Sequence, residues 1–274
     1  MVNKIFNKSY KSNFLIAEVG INHNGNIDQA FRLVDAAKES LADAVKFQTY
    51  TAEKRVKKNS SIYDILKKCE LKFEDFYKLK KYCEKKKITF FSTPFDKESV
   101  EFLNKINVPM FKISSFDIIN KDLIKEIIKT KKPTIVSTGM ASLKEISNTY
   151  QTFKKNKVPI SLLHCVSSYP NLEKNSYLSN ISDLKKRFNC TIGLSDHTKN
   201  IKTSIFSYIS GARIFEKHFY LGKRHKCIDS PVSIDPTQMK ELKQELNNID
   251  IIYGKVNFGI KKVEKFASQL RRKK

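Results

Sequence analysis

The sequence predicts an α/β fold, a single-domain (β/α)8 TIM barrel, on three observations. Eight short apolar runs recur along the chain, amphipathic helical stretches lie between most of them, and polar residues gather at the C-terminal ends of the runs. A chain of 274 residues with 40% hydrophobic content is long enough for one large core, and barrels of this length form one domain. The expected domain covers residues 1–274, with its strand core over residues 13–250.

In order, the runs are FLIAEVG (14–20), AVKFQT (44–49), ITFFSTP (88–94), MFKISS (110–115), TIVSTG (134–139), SLLHCVSS (161–168), TIGLSDH (191–197) and ARIFEKHF (212–219). Continuous apolar strands followed by helices imply parallel strands covered on both faces. The first helical stretch places Ile27, Ala30, Phe31, Val34, Ala37 and Leu41 on one face, with Asp28, Arg32, Lys38 and Glu39 outside it. After the fourth run, Asn120 is placed to cap a helix whose apolar face is Leu123, Ile124, Ile127 and Ile128. An open doubly wound sheet is the alternative. It lacks support, because the one glycine-bearing loop, GINHNG (20–25), does not have GxGxxG spacing. The long loops are 50–72 and 220–235.

Composition excludes several classes. The net charge is +24, but the lysines are spread over many stretches (Lys80 and Lys81, Lys154 and Lys155, Lys185 and Lys186) rather than gathered into an aromatic-studded stripe. This describes a solvated surface that attracts anionic substrates, not a nucleic-acid platform. No apolar run is long enough to span a bilayer, and the start, MVNKIFNKSYKSN, lacks a signal-peptide core. The cysteines at 69, 83, 165, 190 and 227 stand singly, with neither a disulfide framework nor zinc-binding spacing. The expected location is the cytoplasm, and all five cysteines are expected to be structural.

The chemistry is expected at the strand ends. These carry Glu18, Lys46, Gln48, Ser92, Thr93, Lys112, Ser115, Ser137, Thr138, His164, Ser167, Ser195, Asp196, His197, Glu216 and His218. In a parallel barrel all of them open at one mouth. Helix capping accounts for single residues such as Asn120 or Thr198, but not for lysines on buried strands. Two lysines converging with hydroxyls suit a phosphate and a carboxylate. His197 and His218 end neighbouring strands beside Asp196 and Glu216, a placement that suits a shared divalent ion. Glu18 and Glu216 are candidates for orienting a polyol or for acid–base work. Asp229, in the loop after the eighth strand, reaches towards the same mouth. His164 and His225 have structural or surface readings of equal weight.

The motifs IAEVGINHNG, VKFQT, FFSTPFD, FKISS, IVSTGM, LLHCVSSYP, IGLSDHT and FEKHF, in this order, resemble the N-acetylneuraminate (sialic acid) synthase family, which includes legionaminate and pseudaminate synthases. The resemblance implies a TIM barrel that condenses phosphoenolpyruvate with an N-acetylated amino-sugar aldehyde, N-acetylmannosamine or a diamino-hexose analogue. The products are a nonulosonic acid and phosphate. It implies a divalent Mn2+ or Mg2+ on His197 and His218. It implies phosphoenolpyruvate contacts from Lys46, Thr93, Lys112, Ser115, Ser137 and Ser195, and sugar-facing positions at Glu18, Gln48, Tyr169, Glu216 and Asp229. Ser167 stands where some members have Asn and keeps a hydrogen-bonding side chain; Ser114 stands in place of a common Gly. Family members usually continue into a C-terminal antifreeze-like domain that caps a partner's barrel. Here the last stretch is FASQLRRKK (266–274), so a barrel without that domain is expected. A homodimer or a separate antifreeze-like cap protein is then the expected partner, with no nucleic acid or membrane. The alternatives are a Schiff-base aldolase using Lys46 or Lys112 and a non-catalytic barrel subunit.

Overall fold

The computed structural model describes residues 2–272; residues 1, 273 and 274, at the ends of the expected 1–274 domain, lie outside the described residues. Eight parallel strands pair in sequence order, and the last closes on the first. They are β1 (Phe14–Gly20), β2 (Ala44–Thr49), β3 (Thr89–Pro94), β4 (Phe111–Ile113), β5 (Thr134–Ser137), β6 (Ile160–Cys165), β7 (Ile192–Asp196) and β8 (Ile214–His218). The helices are α1 (Ile27–Glu39), α2 (Ala52–Arg55), α3 (Tyr63–Lys68), α4 (Phe73–Lys86), α5 (Lys97–Lys105), α6 (Lys121–Lys129), α7 (Leu143–Lys155), α8 (Ser179–Arg187), α9 (Lys202–Ile209), α10 (Pro236–Tyr253) and α11 (Lys265–Gln269). Every expected strand is present. Five end earlier than the apolar runs suggest, β4 at Ile113, β5 at Ser137, β6 at Cys165, β7 at Asp196 and β8 at His218.

Side chains alternate along each strand between the barrel interior and the helical shell. The outward set, including Leu15, Ala17, Val45, Phe47, Phe90 and Phe215, packs against α1, α4 and their successors in one large core. The inward set forms a second cluster of Phe14, Ile16, Ala44, Phe91, Met110, Ile135, Leu163 and Ile214. A short 3-10 turn, Val2–Phe6, closes the N-terminal end of the barrel by inserting Ile5 into this cluster. Ser161 Oγ donates to Ile5 O (3.0 Å) and Thr191 Oγ1 to Asn7 O (2.7 Å), which ties the plug to β6 and to the start of β7. The opposite end is open.

Local expectations largely hold. Asn26 Oδ1 accepts from Gln29 N at the start of α1, and Asn120 Oδ1 accepts from Leu123 N at the start of α6. Leu123, Ile124, Ile127 and Ile128 are all buried. The α1 face needs one correction. Leu41 lies beyond the helix end at φ +63° and is exposed, while Leu33 takes the buried position. Among the described residues no helix is long and apolar enough to cross a membrane.

Candidate active site

At the C-terminal mouth of the barrel is a cavity of about 360 Å3. Its floor is the next inward layer of the strands, two residues beyond the apolar cluster: Glu18, Lys46, Thr93, Lys112, Ser137, Ser195 and Glu216. Lys46 Nζ lies 2.8 Å from Glu18 Oε2 and 3.6 Å from Glu216 Oε2, and donates to Thr93 Oγ1 at 3.0 Å. Lys112 Nζ lies 3.3 Å from Glu216 Oε1 and donates to Ser137 Oγ at 2.7 Å. Ser195 Oγ donates to Glu216 Oε1 at 3.0 Å.

The two lysines differ electrostatically. Burial disfavours both ammonium groups, but Glu18 and Glu216 together outweigh it at Lys46 and raise its pKa. At Lys112 burial wins over the single facing carboxylate, Glu216, and the pKa falls. Burial alone would raise the Glu216 carboxyl, yet Lys112 and Lys46 hold it below the usual carboxylate range. The floor therefore joins a firmly charged lysine, an ionised glutamate and a lysine that would gain from a further anion.

Two glycines shape the walls. Gly139 N donates to Ser115 Oγ at 3.0 Å, which leaves the Ser115 hydroxyl hydrogen free to donate. A Cβ at Gly139 would stand 2.5 Å from Ser167 Oγ and 2.8 Å from Ser115 Oγ, so a larger residue would displace both. Gly20, at φ +55°, brings the end of β1 between carboxylates; a Cβ there would meet Glu18 Oε1 and Asp229 Oδ2, each at 3.3 Å.

The histidines face each other across the mouth, with ring centroids 5.3 Å apart. His197 Nδ1 donates to Val166 O at 2.9 Å, so the lone pair is on Nε2. His218 Nδ1 is buried and has no hydrogen-bond partner; Asp229 Oδ2 lies 3.4 Å away, outside hydrogen-bond geometry. Tyr169 covers the pair, with its ring centroid 4.1 Å from that of His197. Asp229 is held in place by its neighbours, its N donating to Asn22 Oδ1 and its O accepting from Ser233 Oγ.

Behind His197 is a buried network that the sequence did not reveal. Asp196, expected beside the histidines, turns away from the cavity. Its Oδ1 accepts from Thr198 N and Oγ1, its Oδ2 accepts from Ser204 Oγ, and Lys217 Nζ lies 3.2 Å from Oδ2. Lys217 also donates to Thr198 O. Thr198 is thus part of the lock on the His197 turn rather than a helix cap.

Of the predicted site residues, Glu18, Lys46, Gln48, Thr93, Lys112, Ser115, Ser137, Tyr169, Ser195, His197, Glu216, His218 and Asp229 all line this cavity. Ser167 does not. It lines a larger neighbouring space of about 510 Å3 between α7 and α8, because β6 ends at Cys165 and the chain has already turned outward. Cys165 also departs from its purely structural reading. It lines the cavity with Sγ 3.8 Å from His197 Nδ1; burial raises the thiol, but His197, Ser115 and Lys112 outweigh that and lower its pKa. His164 is structural, with Nε2 donating to Ser176 O. His225 sits in its loop, where Nδ1 accepts from Leu221 N.

Sequence reasoning missed Arg55, Ile62, Phe95, Ser114 and Phe116 on the walls. Ser114 Oγ donates to Asp117 Oδ2, a local turn contact. Only the length of loop 50–72 could have signalled Arg55.

Comparison with known proteins adds an independent line. A model of the NeuB family matches residues 33–258. An uncharacterized protein of Methanocaldococcus jannaschii is 44% identical over 249 residues, covering 90% of this chain and 73% of that one. The N,N'-diacetyllegionaminic acid synthase of Campylobacter jejuni is 36% identical over 272 residues, covering 93% and 80%. A crystal structure of N-acetylneuraminic acid synthetase from Leptospira borgpetersenii, in complex with citrate, superposes with a TM-score of 0.90 at 37% identity, covering 95% and 91%.

Proposed function

This chain belongs to the NeuB family, and from that premise we propose that it is a carbon–carbon bond-forming synthase. It condenses phosphoenolpyruvate with an N-acetylated amino-sugar aldehyde, giving a nonulosonic acid and phosphate. The observation that carries this reading is the polarity of the cavity: Lys46, Lys112, Ser115, Ser137 and Ser195 at the floor, two imidazoles and Asp229 at the mouth. The related synthases, and the citrate held by the Leptospira protein, support it.

Phosphoenolpyruvate would lie on the floor, its carboxylate and phosphate held by the two ammonium groups and the serine hydroxyls. An anion beside Lys112 offsets the burial that lowers its pKa and keeps it protonated. The enol carbon C3 attacks the aldehyde carbon of the sugar, whose carbonyl π bond breaks and whose oxygen takes up a proton to become a hydroxyl, and positive charge develops at C2. Water adds at C2, the C2–O bond to phosphate breaks, and a ketone remains. Glu216, held ionised by the lysines, is placed to take the proton of that water. Gln48, Tyr169, Glu18 and Asp229 orient the sugar.

The family resemblance implies a divalent ion, and the donors here fit one in part. His197 Nε2 is unengaged, and His218 has a buried nitrogen without a hydrogen bond. No set of three histidine, cysteine or carboxylate donors gathers among the described residues. The protein would therefore hold the ion by His197 and His218, with the rest of its coordination from substrate and water, an arrangement that suits Mn2+ better than Mg2+. When bound, the ion would polarise the aldehyde carbonyl.

The test is phosphate release from phosphoenolpyruvate with N-acetylmannosamine and diacetamido-hexose analogues in the presence of Mn2+. Silence across the panel overturns the reading. Mn2+ affinity, measured by electron paramagnetic resonance, should fall at least tenfold in His197→Ala and in His218→Ala; unchanged affinity removes the metal assignment. The lowered pKa of Lys112 is the one observation that favours an amine nucleophile. Borohydride trapping of a substrate-linked lysine would establish that reading instead.

A further inference from the structure

Arg55 reaches the cavity from α2, at the start of the long loop after β2. Its guanidinium carbon lies 3.8 Å from the ring centroid of Phe95 and 4.6 Å from that of Tyr50, in the corner between two nearly perpendicular rings. Its Nη1 donates to Gln48 Oε1 at 2.9 Å.

The chemistry of the three groups sets one direction. A guanidinium has N–H donors and no acceptor, so the Gln48 atom facing it must be the carbonyl oxygen. The Gln48 amide nitrogen, a donor only, then faces Glu18 Oε1 and donates to it at 3.5 Å. Arg55 to Gln48 to Glu18 is thus a chain that cannot be reversed. Towards a ligand Arg55 presents only N–H donors, and Gln48 adds its second amide hydrogen and one remaining lone pair on Oε1. Beside them the wall is apolar, formed by Ile62, Phe95 and Phe116.

We propose that Arg55 is an acceptor-specificity residue: its guanidinium binds the carbonyl oxygen of an N-acyl substituent on the sugar, whose methyl group rests on Ile62 and Phe116. This rests on the synthase reading above. A sugar bearing a free amine is disfavoured because, as an ammonium at neutral pH, it offers no acceptor to the guanidinium. A phosphate or carboxylate suits this position less well. Asp229, Glu18 and Asp117 lie within electrostatic reach of Arg55 and offset its charge, whereas the floor lysines offer an anion two cations at once. Half-buried against the rings of Tyr50 and Phe95, Arg55 loses little side-chain freedom on binding, which favours recognition of one well-placed dipole.

The experiment compares the wild type, Arg55→Met and Arg55→Lys with an N-acetylated acceptor, its free-amine counterpart and its phosphorylated form, with phosphoenolpyruvate binding measured separately by calorimetry. In Arg55→Met the KM for the N-acetylated acceptor should rise about ten- to hundredfold, the range for a lost hydrogen bond to a charged group. Its preference over the free amine should shrink by the same factor. Phosphoenolpyruvate affinity should stay within about twofold of wild type, and Arg55→Lys should recover part of the loss. Three results overturn the proposal: unchanged acceptor KM and preference in a folded Arg55→Met, a loss confined to phosphoenolpyruvate binding, or a wild-type preference for the phosphorylated acceptor that vanishes in the variant. A wild type that releases no phosphate with any acceptor refutes the synthase reading itself. That result is read without any variant, so the two failures are distinct.

Discussion

Two layers of side chains share the barrel interior, on the same strand faces and about 6.6 Å apart, the rise of two strand residues. The lower layer is dry: Ile16, Ala44, Phe91, Met110, Ile135, Leu163 and Ile214 pack with the Ile5 plug. The upper layer follows each of these by two positions: Glu18, Lys46, Thr93, Lys112, Ser137, Cys165 and Glu216. Both are buried to the same degree. Burial stabilises the first through apolar transfer and close packing, and penalises the second wherever a charge lacks a partner. The difference shows that one strand period separates the part of this protein that holds the fold from the part that holds the chemistry.

The largest expected effect breaks the upper layer. Lys46→Met and Lys112→Met should each lower phosphate release by about a thousandfold, the scale of losing a preorganised charge at the reacting centre. Their stabilities should diverge. Removing Lys46 leaves Glu18 without its 2.8 Å cation and should cost about 3 kcal/mol, as for breaking a buried pair. Removing Lys112 takes a 3.3 Å cation from Glu216, but Lys46 still lies 3.6 Å from that carboxylate and burial already works against the Lys112 charge, so the loss should be smaller than for Lys46→Met. Equal melting temperatures for the two variants would show that the asymmetry between the lysines is absent.

The converse breaks the lower layer. Phe91 is fully buried below Thr93, and Phe91→Ala should cost about 3–5 kcal/mol in denaturant unfolding, transfer and cavity effects together. Its kcat, where folded, should stay within a few-fold of wild type. A kcat loss as large as that of Lys46→Met would mean that the layers are not separable.

His23 sharpens the comparison, because it is a buried ionisable group with no charged partner. It sits in the turn after β1 with Nε2 unsatisfied, and burial lowers its pKa from 6.5 to about 4. The folded state thus favours the neutral ring. Its contribution to stability is fully present above pH 6.5 and is lost as pH falls through that value to about 4, where it levels off. The shift corresponds to about 3 kcal/mol as an order of magnitude. His23→Gln, which can still accept from Gly25 N, should flatten the stability curve over that window. A curve identical to wild type would place the acid sensitivity elsewhere.

How much of this was legible follows the same division. The strand layers were readable because a period of two is written into the chain: once Ile16 is inward, Glu18 must be inward too. The strand-end lysines stood out because no apolar strand carries them without a reason. Asp196 and Lys217 follow the inward Ser195 and Glu216 by one position, so the same period of two turns them outward; grouping Asp196 with the histidines passed over that alternation. Arg55 belongs to a long loop whose path is set by its tertiary partners, the rings of Tyr50 and Phe95, and no local period reports on those.

Ser167 gives the smallest effect and the finest cut. As a strand-end residue it is expected among the substrate contacts, yet β6 ends at Cys165, and beyond Val166 the chain carries Ser167 into the space between α7 and α8. Its Oγ lines that neighbouring space and not the cavity, so its loss removes no cavity-lining group. Ser167→Ala should therefore change both KM values and kcat by less than about twofold, the scale of a substitution that leaves no buried polar group unpaired. Ser137→Ala, on the floor, removes the acceptor of Lys112 and should cost about tenfold. If the two serines prove equal, the boundary between the cavities lies one strand position further out than the fold places it.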